Sequence, residues 1–152
     1  MRSIITITFI VLFTTSVFAE LIKPKPEIKP EEVVSIQLSS LMKNDDPYTN
    51  AGIEQTWEFA HPSNRAYTGP IQKFTRMMYS PSYAVMLNHL EHDILDVKLE
   101  ENIAYFFIEL TAEDGKMYGF KWTLNKVNEN GIFKNCWMTT AVSTPMPLST
   151  SS

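Results

Sequence analysis

Hydrophobic positions along this chain change their spacing twice. Residues 4–13 form an apolar run broken only by Thr6 and Thr8. From Pro30 the period becomes helical. Val34, Leu38, Leu41 and Met42 fall at i, i+4, i+7 and i+8, which predicts one apolar stripe. Pro30 suits a first helical turn, and Glu31 and Glu32 complement the positive helix end. Asn44-Asp45-Asp46-Pro47 closes this helix. Ile53, Trp57 and Ala60 predict a second, shorter helix over 52–60. His61-Pro62-Ser63-Asn64 reads as a turn. Thr68-Gly69-Pro70 opens a third helix, whose buried side is Ile71, Phe74, Met77 and Met78 and which Pro81 stops.

Beyond residue 90 the period falls to two. Leu95, Val97 and Leu99 alternate with Asp96, Lys98 and Glu100, while residues 103–111 are apolar on both faces, as in a central strand. Asp114-Gly115 marks a hairpin turn. The next strand, 117–127, carries Tyr118, Phe120, Trp122 and Leu124 on one face. A second turn at 128–131 leads to a last strand over 132–142. The plan is α+β: three N-terminal helices packed on a curved antiparallel sheet. Trp57 and Phe74 are expected to pack from the helices onto the face of Tyr118, Phe120, Trp122 and Leu124.

Composition narrows the function. The chain has 152 residues, 44% hydrophobic and 20% charged, which suits a single globular domain. A net charge of −4 supplies no basic face for nucleic acid. One cysteine excludes an intrachain disulfide framework and a multi-cysteine zinc site. Arg2 before the apolar run, with Val17 and Ala19 at positions −3 and −1, reads as a signal peptide over 1–19. An uncleaved signal anchor is the alternative. The run is shorter than the ~20 residues a bilayer requires. No stable membrane insertion is therefore expected after cleavage, and the protein is expected to be secreted or periplasmic. Pro24, Pro26 and Pro30 give residues 20–30 an extended character. Pro145, Pro147 and the Ser/Thr end give residues 144–152 the character of a flexible tail, which leaves 31–143 as the domain.

Several of these segments form a familiar set. They are Asn44-Asp45-Asp46-Pro47, Gly52-Ile53, residues 57–65 from Trp57 to Arg65, and Thr68-Gly69-Pro70. Phe74 with Met77, Trp122-Thr123-Leu124 and Cys136-Trp137-Met138-Thr139 continue it. Residues 33–142 thereby resemble the cystatin-like cone of the nuclear-transport-factor-2-like superfamily. More closely, they resemble a bacterial, algal and plant family of uncharacterised proteins with this expected fold. The resemblance implies a cavity between helices and concave sheet. In the superfamily that cavity hosts isomerases, dehydratases and cyclases, or binding alone.

Chemistry in such a cavity needs a base and a donor near the developing charge. Tyr105 and Glu109 share a strand face and are the candidate catalytic pair; the alternative is that Glu109 pairs with Lys121 on the next strand. His61, Asn64 and Arg65 cluster near one turn and, with Tyr79, are the candidate ligand-binding residues at a cavity rim. Arg65 would grip a carboxylate or phosphate as a planar fork. The alternatives are turn-stabilising roles for His61 and Asn64 and a surface pair between Arg65 and Glu58. His89 and His92, with Glu91 and Asp93, lack the spacing of a helical zinc pair and read as a solvated loop, so no metal is expected. Cys136 reads as a buried, unreactive thiol in the last strand. The aromatic residues could line a pocket or fill a core, and Met42, Met77, Met78 and Met86 suit an adaptable lining. No cofactor is expected.

The reading is an exported, non-catalytic module that binds a small acidic or apolar ligand or a partner. The alternative is a small isomerase or cyclase; a homodimer is the third expectation. N-terminal sequencing of the exported protein should begin at Glu20. An intact Met1 on soluble cytosolic protein would contradict the signal peptide.

Overall fold

The computed structural model describes residues 20–148, so the expected signal peptide and the last four residues of the Ser/Thr end lie outside it. Four helices precede the sheet: α1 (Pro30–Met42), α2 (Ala51–Glu58), α3 (Pro62–Thr68) and α4 (Ile71–Met78). A single 3-10 turn, Ala84–Met86, leads into β1 (Glu91–Leu99). Then come β2 (Ile103–Thr111), β3 (Met117–Lys126), β4 (Trp137–Val142) and the two-residue β5 (Met146–Pro147). The strands are antiparallel in the order β1-β2-β3-β4, with β5 also pairing with β3. The α+β plan of helices on one antiparallel sheet therefore holds.

The β2 strand shows why the sheet is one-sided. Ala104, Phe106, Ile108 and Leu110 are buried against the helices, while the intervening residues are half-exposed. Across the ladder they meet Leu124, Trp122, Phe120 and Tyr118, the face foreseen from period two. From above, α1 contributes Val33, Val34, Leu38 and Leu41, and α4 contributes Phe74 and Met78. Trp57 is half-buried at the edge of this core, its ring 5.0 Å from that of Phe74. In β1 the register shifts between Ile94 and Asp96, a bulge that leaves Leu95 outside the pairing.

Three local expectations are corrected. Residues 62–68 are a helix, not part of a turn, because Pro62 fits its first turn and the His61 ring accepts the Ser63 N–H at 3.1 Å. The last strand begins at Trp137 rather than residue 132. Asn135 takes a left-handed backbone, φ 64°, and residues 132–135 turn before pairing resumes. That leaves Cys136 just ahead of β4. The region after Val142 is not free through residue 148: β5 pairs with Tyr118 and Gly119, and the Leu148 N–H reaches the Met117 carbonyl at 3.0 Å. The proline-rich lead-in is likewise strapped down. Gln55 exchanges two hydrogen bonds with the Ile22 backbone, at 2.7 and 2.8 Å, and Lys23 pairs with Glu58 at 2.9 Å.

The loop between α1 and α2 is an amide network around Asn44. Its side chain accepts the Ile53 N–H at 3.0 Å, a donor in the first turn of α2 with no helical partner of its own. Its amide donates to Asp45 and Asn50 at 3.2 Å each. Gly52 is required beside it, because a Cβ there would collide with the Ser40 carbonyl where α1 and α2 cross. Asn44→Ala should therefore cost about 2–3 kcal/mol in urea unfolding, since it strands a buried N–H and frees the α2 start. A loss below about 0.5 kcal/mol would show that the loop is not held by this side chain.

Candidate functional site

A cavity of about 160 Å³ lies between the helices and the sheet. Leu41, Phe74, Met77, Met78, Met86 and Val142 supply its apolar wall. Three of the four methionines proposed as an adaptable lining are there, and Met42 is not. Gln37, Thr56, Asn64, Thr68, Tyr83 and Thr139 bring polar groups to it, with the Trp122 indole beside them. No Asp, Glu, His, Lys, Arg or Cys is among the lining residues.

The floor is a buried hydrogen-bonded knot. Gln37 is 1% exposed in the middle of α1. Its carbonyl oxygen accepts the Trp122 indole N–H at 3.0 Å and the Thr139 hydroxyl at 2.6 Å. Its amide donates to the Thr56 carbonyl at 3.1 Å. Thr139 extends the knot to the junction of α2 and α3: its N–H reaches the Phe59 carbonyl at 2.8 Å, and its carbonyl accepts from His61 N–H at 2.9 Å and Asn64 Nδ2 at 3.2 Å. On the opposite wall the Tyr83 hydroxyl donates to the Val142 carbonyl at 3.2 Å.

The four candidate binding residues do not converge. Only Asn64 lines the cavity. His61 is buried, with its ring turned to the start of α3, and burial pushes its pKa down. Tyr79 is exposed on the outside and donates to Asn50 at 2.5 Å. Arg65 is spent on backbone. Its guanidinium donates to the carbonyls of Trp57, Glu58 and Ala60 at 2.8, 3.0 and 2.9 Å, closing the C-terminal end of α2. It lies 5.0 Å from the Trp57 ring and 5.4 Å from that of Phe133. The expected Arg65–Glu58 surface pair is corrected: Arg65 holds the Glu58 carbonyl, and the Glu58 carboxylate goes to Lys23.

Tyr105 and Glu109 point away from the helices, on the opposite face of β2. Four residues of strand separate their Cα atoms by about 13 Å, and neither residue lines the cavity between helices and sheet. The alternative pair is also corrected, since Lys121 sits 4.8 Å above the Tyr105 ring and Glu109 faces Gly119 and Asp93. The solvated loop read at His89–His92 is overturned. His89 is 2% exposed and linked to His92 by a ring–ring hydrogen bond of 2.7 Å. Among the described residues no three of His, Cys, Asp and Glu are grouped as a metal ion would need. Cys136 is buried, and its burial, with Glu27 nearby, pushes the thiol pKa up. Among the same residues no helix is long and apolar enough to cross a membrane.

Comparison of the chain with protein-family models, curated proteins and solved structures finds no match. The site must therefore be read from its own chemistry. Gln37, Thr56, Thr68, Tyr83 and Thr139 were not foreseen in it. A polar residue at a core position of the predicted α1 stripe was the one available signal, and it is Gln37.

Arg65→Ala should lower stability by about 2 kcal/mol, by removing three charge-assisted bonds to the end of α2. Arg65→Lys should recover little of this, because an ammonium cannot match three carbonyls held by a planar fork. Full recovery by lysine in thermal unfolding would contradict the capping role.

Proposed function

We propose that this chain is an exported, non-catalytic module that holds one small neutral molecule in the cavity between its helices and its sheet. The carrying observation is the lining: an apolar wall faces hydrogen-bonding side chains, and neither a base nor a cation is among them. An isomerase or cyclase needs a carboxylate or histidine at the reacting carbon, and an acidic ligand needs a positive partner when buried. The reading is therefore narrowed from an acidic or apolar ligand to a neutral one. The resemblance of residues 33–142 to the nuclear-transport-factor-2-like cone supports a ligand at this place.

Size and residual valence describe the ligand. An apolar cavity of about 150 Å³ accommodates benzene, so one ring with a small substituent fits here. Gln37 spends one amide N–H on Thr56 and Asn64 spends one on Thr139, which leaves each amide a further donor. A carbonyl or hydroxyl on the ring would take them. Phenol and benzamide should shift the Trp122 indole signal in NMR titrations, and Asn64→Leu should weaken benzamide several-fold. Benzoate should bind at least about tenfold more weakly than benzamide, because its charge has no partner. Benzoate binding as tightly as benzamide, or no shift at Trp122 from any of them, would overturn the proposal.

A further inference from the structure

We infer that residues 83–90 are a pH-released wall of the cavity, latched by the buried His89–His92 pair. The segment forms one side of the cavity through Tyr83 and Met86. Met86 is 1% exposed, and its carbonyl is 2.6 Å from His89 Nδ1. A carbonyl only accepts, so His89 carries its proton on Nδ1 and leaves Nε2 as an acceptor. His92 Nδ1 then donates to it across 2.7 Å. The chain of bonds runs from the cavity wall through two rings to β1.

This arrangement accommodates one extra proton but not two. The first goes to the outer nitrogen of His92 and leaves both bonds in place. A second puts N–H against N–H between the rings, so the latch must open. Little nearby offsets a second charge. Asp93 adjoins His92 and favours its charged form, but Asp93 and its partner Glu109 lie on the other face of the sheet. The β2 partners of His92 and Glu91 are the uncharged Leu110 and Thr111. Asp45 is engaged by Asn88 at 3.3 Å, and Glu113 and Asp114 line a surface depression with Ala84, Val85 and Leu87.

Burial pushes His89 down to about 4 and lowers His92 as well. In the opened segment both rings reach water and hold protons up to about 6.5. Below that pH the open form binds more protons, so the closed wall loses stability as pH falls from about 6.5 toward about 4. Between pH 7 and pH 5 the opening equilibrium should grow at least about 20-fold.

Hydrogen exchange on the protein without ligand measures this directly, so the result does not depend on what the cavity holds. After correction for intrinsic rates, amides of 83–90 should open at least about 20-fold more at pH 5 than at pH 7, while those of β2 stay protected. His89→Gln should lose most of this pH dependence. Should that variant not fold, NMR titration of the wild-type rings decides, and His89 should stay neutral down to pH 5. Equal protection of 83–90 at both pH values, an undiminished response in His89→Gln, or ordinary titration of His89 near 6.5 would overturn the inference.

Discussion

One amide, that of Gln37, sets the relation between the two layers. Its carbonyl oxygen and one N–H reach β3, β4 and α2 from the middle of α1. The bond to Thr139 joins residues 102 apart in sequence. A knot of this kind tolerates little error, because each buried polar atom left unpaired costs more than its bond contributes. Among the described residues no buried side-chain nitrogen or oxygen lacks a partner. The same requirement keeps space open. Amides and hydroxyls held at fixed angles cannot close over one another as alkyl chains do, and the cavity lies directly against them.

What was legible in the sequence follows from what periodicity measures. Helix α1 and the inward face of β3 each repeat their apolar residues at the period of the element, so each was readable. The β2 strand was readable as a continuous apolar run, while its division into a buried and a half-exposed face was not. Helix α3 has no buried residue at all and so carries no stripe; only its His61-Pro62 start marks it, and that pair also reads as a turn. The late start of β4 depends on Asn135 holding a left-handed backbone, which many asparagines do not. The candidate site was least legible. Its polar residues come from α1, α2, α3, β4 and the loop after α4, and no local spacing connects them. Arg65 was singled out as a rare planar cation. The same property suits it to three backbone carbonyls, so residue chemistry alone could not separate the two roles.

The motif residues near Asn44 show how a sequence signature can serve architecture. Asn44, Asp45, Asn50, Gly52 and Asn88 form one hydrogen-bonded and closely packed set. It joins the end of α1 to the start of α2 and to the loop that precedes β1. Tyr79 adds its hydroxyl from the end of α4. These residues near Asn44 serve as joints between elements and do not line the cavity, whereas Asn64, Thr68, Phe74, Met77, Trp122 and Thr139 do.

The bulge in β1 bears on how the outer edge of the sheet meets other chains. β1 is an outer strand of the sheet, and it exposes Leu95, Val97 and Leu99. A straight apolar edge of this kind invites a strand from another molecule and leads to aggregation. Here the register shift at Leu95 interrupts the line of backbone groups, and the Asp96 carboxylate accepts the Val97 N–H at 2.9 Å. Lys98 and Glu100 add charge beyond it. An irregularity of one residue, which costs pairing within the sheet, thus keeps an otherwise adhesive edge from recruiting its neighbours at high concentration.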